Sequence, residues 1–224
     1  CLSGLAFGYI LIRQALKPVT QPTPTTDKIM KLPEPRYESY VSIEEALLKR
    51  RSIREYTDEP LTLQEVSQLL WAAQGITDPR DFRTAPSAGA LYPLEVYVVV
   101  GDVENLAKGV YKYEPYGHEL LNFLEGDRRT ELAEAALGQE SVEEAAIDVV
   151  ITAIYERTTA KYGDRGIRYV HMEAGHAAQN LCLQATAMDL GTVTVGAFYD
   201  EQVKKVLNLP EDEQPLYIMP VGKK

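Results

Sequence analysis

Two neighbouring stretches decide the fold: residues 147–155, IDVVITAIY, and residues 168–190, RYVHMEAGHAAQNLCLQATAMDL. The first is rich in β-branched residues, which favour strands, and it predicts the central strand of a sheet. The second carries small and apolar residues on nearly every side, which predicts a long buried helix that ends at Gly191. Together they indicate a domain in which helices pack on a sheet.

Further elements extend outward from this pair. Ser42 with Glu45 and Thr62 with Glu65 have the spacing of capping boxes, and each begins a helix; the second helix stops at Gly75. Other predicted strands cover residues 94–100, 110–113, 119–123, 192–195 and 215–221, and other predicted helices cover residues 128–137 and 201–207. This mixture predicts the α+β class.

Composition limits the function. The 224 residues carry a net charge of −10, which disfavours nucleic acid as a partner and requires any anionic ligand to be held by a local positive cluster. Hydrophobic residues at 45% and charged residues at 25% are typical of a soluble globular protein. Cys1 and Cys182 are the two cysteines, and no zinc-type spacing occurs, so we expect neither a disulfide framework nor a metal site.

Residues 1–36 differ from the rest of the chain. The first twelve residues, CLSGLAFGYILI, are nearly free of charge, and a stretch rich in proline and threonine follows. Three interpretations stay open for the apolar stretch: the end of a membrane helix, an arm that packs on a partner subunit, or a lipid-modified Cys1. We therefore assign residues 1–36 to an apolar segment and linker, and residues 37–224 to the globular domain, which we expect in the cytoplasm, with the N-terminal segment as a candidate membrane tether.

Common catalytic motifs are absent. The sequence has no phosphate loop with its lysine, no GxGxxG after a strand, no nucleophile elbow around Ser87 and no HExxH. These absences disfavour a nucleotide hydrolase, a Rossmann dehydrogenase, a serine hydrolase and a zinc protease.

Three local signals remain. The run RRSIR at residues 50–54 places three guanidinium groups and a hydroxyl at a helix end, where they can bind an anion. The run APSAGA at residues 85–90 lets the backbone approach a flat ligand closely. The run VGAF at residues 195–198 follows a strand and offers free backbone N–H groups. Each run alone is equally compatible with an exposed helix end or an ordinary loop.

The order and spacing of seven segments resemble the FMN-dependent nitroreductase family, and within it the SagB-type dehydrogenase branch. The segments are RRSIREY, RTAPSAGALYPLE, GVYKYEPYGHEL, KYGDRGIRY, EAGHAAQNL, VGAFYDEQV and LNLPEDEQPLYIMPVGK. The resemblance implies a three-layer α/β/α fold with a mixed, mainly antiparallel sheet. It also implies an intertwined homodimer with FMN at the subunit interface.

The resemblance implies roles for individual residues. Phosphate and ribityl contacts fall on Arg50, Arg51, Ser52 and Arg54, with Gly222 and Lys223 closing on the phosphate. Loop residues of the other subunit, Pro86, Ser87, Ala88 and Gly89, border the flavin ring, and Gly196 and Ala197 present backbone to it. Lys161 and Tyr162 match a pair implicated in proton transfer during oxidation of azoline rings.

The implied activity is a ping-pong oxidoreduction in which hydride passes through flavin N5. Two substrate classes stay open: an azoline-type heterocycle, or NAD(P)H as donor with a nitroaromatic or quinone as acceptor. A hypothesis of another class is a non-catalytic, membrane-tethered scaffold or sensor that binds flavin.

Overall fold

The computed structural model describes residues 29–224, so the predicted apolar segment and most of the linker lie outside the described residues. Within residues 29–224, seven strands and seven α-helices follow one another. The strands are β1 (Ile29–Lys31), β2 (Leu94–Val100), β3 (Gly109–Glu114), β4 (Glu119–Glu125), β5 (Ile147–Ile154), β6 (Leu190–Thr192) and β7 (Glu213–Lys223). The helices are α1 (Ile43–Lys49), α2 (Leu63–Gln74), α3 (Arg129–Ala135), α4 (Glu140–Glu143), α5 (Glu156–Tyr162), α6 (Arg165–Ala187) and α7 (Asp200–Leu207).

All seven strands form one sheet in the order β1-β4-β3-β2-β5-β7-β6, and every neighbouring pair is antiparallel. Strand β5 lies between β2 and β7 and pairs with each over its whole length. The predicted central strand is thus confirmed: neighbouring strands satisfy the hydrogen bonds of both its edges, and its residues are buried on both faces.

Alternate residues of the strands supply two separate cores. On one face, Val98, Val149 and Met219 pack against apolar residues of α2 and α6. On the other face, Val99, Val150 and Ile218 pack against α3, α4 and α7. The α+β class and the three-layer arrangement are confirmed, since a period of two residues directs successive side chains to opposite helix layers.

Helix starts follow the sequence closely. Thr62 makes both hydrogen bonds of a capping box with Glu65, and Gly75 ends α2 as predicted. Ser42 accepts a hydrogen bond from the Glu45 amide at the start of α1. These local hydrogen bonds satisfy amide groups that would otherwise lack partners at a helix N-terminus.

Three expectations need correction. Residues 29–31 lie in the segment assigned to the linker, but they pair with β4, and the next residue, Leu32, is buried. Helix α6 ends at Ala187, and Gly191 is a strand residue of β6; the left-handed turn after the helix is made by Asp189, with a φ of 60°. Aspartate tolerates this region better than most residues, so glycine is not required there.

Helix α6 is buried on one side only. Ala174, Ala177 and Leu181 lie in the core, whereas Ile167 and Met172 are exposed in the single chain. The expectation that the whole helix is buried is therefore wrong for the isolated chain. Among residues 29–224, no helix is both long and apolar enough to cross a membrane.

Candidate functional site

Residues 50–54 leave α1 and run beside the edge of the sheet. The Arg50 N–H caps α1 by donating to the Ala46 carbonyl at 2.9 Å, and the Ile53 N–H donates to the Thr192 carbonyl at 3.0 Å. Ile53 packs on Gly191, where a Cβ would lie 2.7 Å from its Cγ2 atom. This close approach explains a glycine in β6, and it fixes the backbone that carries Arg51, Ser52 and Arg54.

The arginines of this segment have no acidic partner. Among residues 29–224, Arg50, Arg51 and Arg54 form no ion pair within 4.0 Å. The Arg51 Nη1 group donates to the carbonyls of Leu48 at 3.0 Å and Arg50 at 2.7 Å, which holds the guanidinium at the helix C-terminus. Its other N–H groups stay free, so the segment is a local positive cluster in an acidic protein.

Residues 196 and 197 follow the last sheet contact of this region. Val195 exchanges two backbone hydrogen bonds with Ile218, at 2.8 and 3.0 Å. The N–H groups of Gly196 and Ala197 donate to no other described residue, and both residues are exposed. Two free N–H groups at a strand end can donate to an oxygen or ring nitrogen of a ligand.

Helix α6 places the positive cluster near these free N–H groups. Cys182 of α6 lies 3.8 Å from the Thr194 hydroxyl, measured from its Sγ atom. Burial raises the pKa of the Cys182 thiol, and the positive charge of Arg50 opposes that rise. The Ile53–Thr192 hydrogen bond and the contact between Cys182 and Thr194 place the arginine segment beside the chain that leads from β6 to Gly196, and Cys182 itself is buried.

Loop residues 86–92 form a second group. Ala88–Ala90 make a short 3-10 turn, and Gly89 has a φ of 66°, which favours glycine. A Cβ at Gly89 would lie 2.7 Å from the Tyr162 hydroxyl and 2.8 Å from the Lys161 Nζ atom. The structure thus brings the predicted pair, Lys161 and Tyr162, directly against the predicted small-residue loop.

A buried carboxyl lies behind this loop. Glu173 of α6 is 2% exposed, and its Oε1 atom has no hydrogen-bond partner among the described residues. Burial raises the pKa of Glu173 to about 7, although Ser87 and Arg83 oppose the rise. Glu173 could not be singled out from the sequence, because its burial depends on how α6 packs in the folded chain.

Gly222 and Lys223, the third group of predicted site residues, lie at the end of β7. Tyr56 packs on Gly222, where a Cβ would lie 2.7 Å from the tyrosine Cγ atom. The Lys223 ammonium forms an ion pair with Glu65, the glutamate of the capping box that begins α2. The Lys223 side chain is thus directed to α2, while its carbonyl accepts a hydrogen bond from the Thr57 N–H at 3.0 Å, three residues after Arg54.

The two main groups are separated within one chain. On α6, Glu173 marks the position of the loop group and Cys182 marks the position of the arginine segment. These two residues are nine positions apart, which at about 1.5 Å per residue is roughly 14 Å along the helix axis. Lys161, Tyr162 and the loop lie at one end, and the arginine segment with Gly196 lies at the other.

Comparison with known proteins decides the family. The profile of the nitroreductase family matches residues 47–223, which include both groups of residues. The chain belongs to the nitroreductase family. This confirms the resemblance, and members of the family are oxidoreductases.

Individual relatives agree. This nitroreductase-family chain is 54% identical over 184 residues to a Methanocaldococcus jannaschii protein provisionally named a nitroreductase, covering 82% of this chain and 92% of that protein. It is 30% identical to the trifolitoxin operon protein TfxC of Rhizobium leguminosarum bv. trifolii, covering 80% and 54%. A crystal structure from Ralstonia eutropha, also provisionally named a nitroreductase, has a TM-score of 0.78 at 30% identity and covers 92% and 97%.

Other relatives carry more specific names. The microcin B17-processing protein McbC of Escherichia coli is 30% identical, covering 67% of this chain and 58% of that protein. An NADPH-dependent FMN reductase of Bacillus subtilis is 26% identical, covering 80% and 64%. The chain therefore spans about half to two thirds of the length of TfxC, McbC and the FMN reductase.

Proposed function

We propose that this chain is an FMN-dependent oxidoreductase whose two sites form between the subunits of a homodimer. The observation that carries the proposal is the arginine segment, without an acidic partner among residues 29–224, bound through the Ile53 N–H to the strand that leads toward two free backbone N–H groups. Arginine side chains bind phosphate oxygens through several parallel hydrogen bonds, and N–H groups bind the polar edge of a flat ring. Relatives named for FMN reduction support this assignment.

The described residues fit such a cofactor. Arg50, Arg51 and Arg54 have no acidic partner within 4.0 Å among residues 29–224, so their charge is available to an anion. Gly196 and Ala197 carry no side chain beyond Cβ, which leaves room for a ring against their backbone. Bound FMN would supply the hydride-accepting and hydride-donating chemistry that no side chain can provide.

The residues of the chain have separate tasks in this proposal. Arg50, Arg51, Ser52 and Arg54 bind the phosphate and ribityl chain, and the N–H groups of Gly196 and Ala197 donate to the ring. Loop residues Pro86, Ser87, Ala88 and Gly89 of a second copy cover the ring from the other side. Gly222 pairs with Gly191, on which Ile53 of the arginine segment packs, whereas the ammonium of Lys223 is already paired with Glu65.

Two observations support a homodimer. The arginine segment and the loop lie about 14 Å apart along α6, so two copies can bring unlike groups together where one copy does not. Large apolar side chains are also exposed in and just before α1: Tyr37, Tyr40, Ile43, Leu47 and Leu48. Contiguous apolar surface of this kind is typical of an interface.

Lys161 and Tyr162 are the candidate catalytic residues. Both polar atoms converge on the position of a Gly89 Cβ, and the Lys161 ammonium lies 5.3 Å from the centre of the Tyr162 ring. An amine and a phenol oxygen that face the same point are groups suited to moving a proton at a substrate carbon. This arrangement supports oxidation of an azoline-type ring, in keeping with the relatives from the microcin and trifolitoxin systems.

The second candidate function is reduction of a nitroaromatic or quinone at the expense of NAD(P)H. The relatives named FMN reductase and NADPH-flavin oxidoreductase favour it. In that reaction bound FMN would supply the hydride transfer to and from both substrates, and no proton acceptor at Tyr162 would be required.

One series of measurements tests these proposals. The purified protein, reconstituted with FMN, should be yellow, bleach with NAD(P)H and regain colour with a quinone. Lys161→Ala and Tyr162→Phe should keep this cycle and lose azoline oxidation; loss of both activities in both variants would contradict the division of roles. A protein that stays colourless after reconstitution would refute the proposal that the chain is an FMN-dependent enzyme. A yellow protein whose flavin neither substrate class reduces would favour a flavin-binding scaffold.

A further inference from the structure

Arg157 lies in the first turn of α5, where a positive charge is unfavourable. The free N–H groups at a helix N-terminus carry partial positive charge, so they repel a cation and favour an acidic residue. Glu156 follows this preference and Arg157 opposes it. Helix α5 has seven residues, and its N-cap residue, Tyr155, makes no side-chain capping bond. A helix this short depends on contacts with the rest of the fold for its position.

The Arg157 guanidinium extends out of α5 and makes two contacts. Its Nη1 group donates a hydrogen bond to the Tyr92 carbonyl at 3.1 Å, and its Nη2 group donates to the Glu95 carboxylate. Glu95 lies in β2 and pairs with Thr152 of β5, so its backbone is fixed inside the sheet. Tyr92 ends the loop of residues 86–92. Because a guanidinium donates in several directions from one rigid plane, this side chain ties α5 to the sheet and to the loop at once.

The end of the loop is also held by bonds that do not involve α5. The Tyr92 N–H donates to Ser87 Oγ at 2.9 Å, and the backbone N–H of Arg83 donates to the Tyr92 hydroxyl at 3.2 Å. Tyr92 has a φ of 45°, which a residue other than glycine adopts only when surrounding contacts impose it. The Tyr92 carbonyl is therefore a fixed acceptor, against which Arg157 can position α5.

The residues that follow Arg157 in α5 include the candidate catalytic pair. Lys161 comes four positions later, so it lies on the same side of the helix as Arg157. The Lys161 ammonium and the hydroxyl of the next residue, Tyr162, converge on the position of a Gly89 Cβ in the loop. A shift or rotation of α5 would move both groups away from this point.

We propose that Arg157 is a positioning residue that sets Lys161 and Tyr162 against loop 86–92 by bridging the Tyr92 carbonyl and the Glu95 carboxylate. The inference rests on the proposed function for the reaction that it serves, the oxidation of an azoline-type ring. In this role Arg157 contacts neither substrate nor flavin and acts through the orientation of α5. A displacement of about 1 Å can slow a reaction by about a hundredfold, so the loss of this anchor should be measurable in turnover.

Lys112 supplies a matched control. Its ammonium lies 3.1 Å from the second oxygen of the same Glu95 carboxylate, but it belongs to β3. Arg157→Gln and Lys112→Gln each remove one cation from Glu95, and only the first removes the bridge between α5 and Tyr92. The Arg157 side chain is 38% exposed, so Arg157→Gln should fold. If it does not, Arg157→Met, which keeps an apolar stem, takes its place with the same expectations.

The first test measures α5 itself and needs no added cofactor. Hydrogen exchange of a peptide covering residues 156–163, measured in the full chain, should be about tenfold faster in Arg157→Gln. This is the effect of losing one hydrogen bond to a charged group. Exchange in Lys112→Gln should stay within about twofold of wild type. Unchanged exchange in folded Arg157→Gln, or an equal acceleration in Lys112→Gln, would overturn the proposal.

The second test compares two reactions of the protein reconstituted with FMN. With a short synthetic peptide that contains one thiazoline ring, Arg157→Gln should lower kcat about tenfold or more and leave KM within about twofold, because the proton-transfer groups shift and the ring-binding surface stays. With NADPH and menadione it should match wild type, since Tyr92 keeps its bonds from Ser87 and Arg83. Equal losses in both reactions would indicate general damage to the fold and would overturn the proposal.

The two tests separate the two proposals. If the wild-type protein does not oxidise the thiazoline while exchange in α5 changes as expected, the proposed azoline oxidation fails and Arg157 remains the anchor of α5. If the wild-type protein oxidises the thiazoline and Arg157→Gln has the wild-type kcat, the proposed function stands and the inference fails.

Discussion

Replacing Arg51 should weaken FMN binding more than replacing Lys223. In the structure the Arg51 guanidinium is held by two carbonyls at the end of α1 and has no acidic partner among residues 29–224, so its free N–H groups are directed outward in a fixed orientation. A hydrogen bond to a charged group contributes about 1.5–3 kcal/mol. Because Arg51 is exposed, we take the lower limit, which corresponds to about tenfold in the dissociation constant.

Lys223 supplies the matched control. Its ammonium is paired with Glu65, so Lys223→Ala should remove an ion pair and leave FMN affinity within about twofold. The assay is a titration of apoprotein into FMN at two salt concentrations, and the contribution of Arg51 should shrink as salt rises. Equal losses in the two variants, or unchanged affinity in Arg51→Ala, would refute the assignment of the phosphate to the arginine segment.

Three further predictions concern stability. Gly222→Ala should lower the melting temperature, because the new Cβ would lie 2.7 Å from the Tyr56 Cγ atom. An unchanged melting temperature would show that the Tyr56 side chain can move away without cost. Thr62→Ala should lower the free energy of unfolding in urea by about 1 kcal/mol, since it removes the hydrogen bond from the Glu65 amide to the Thr62 side chain. Ser42→Ala should lower it by less, because the Ser42 cap lacks the reciprocal bond. Burial raises the pKa of Glu173 from 4.5 to about 7, so the folded chain binds a proton that the unfolded chain has released, and wild-type stability should fall as pH rises between these values. Glu173→Gln should remove that part of the slope, and parallel pH profiles for the two proteins would contradict the shift.

Local patterns in the sequence were sufficient for most elements of the fold. Strand β2 has the predicted bounds, and the Thr62 capping box and the stop at Gly75 occur as expected, because each depends on residues within one turn or one strand. The edge strand β1 was missed because its three residues gain stability only by pairing with β4, a contact across about 90 positions. The end of α6 was misplaced for a similar reason: Gly191 serves the close approach of Ile53, a tertiary contact.

The candidate site was predictable in its parts and less so in its arrangement. Local residue patterns indicated the arginine segment and the loop, family resemblance supplied the pair Lys161 and Tyr162, and the roles of all of them stay predictions. The ion pair of Lys223 with Glu65 and the burial of Glu173 could not be read from the sequence, because both depend on how distant elements pack.

The continuous helix α6 sets a strict condition on sequence length. Because each residue turns a helix by about 100°, inserting or deleting one residue between Glu173 and Cys182 would swing the two ends out of phase as well as change their distance. Such a change cannot be absorbed locally, whereas the turn between β3 and β4 can change in length at the sheet edge. Variants of this protein with altered length should therefore be tolerated at that hairpin and excluded from the middle of α6.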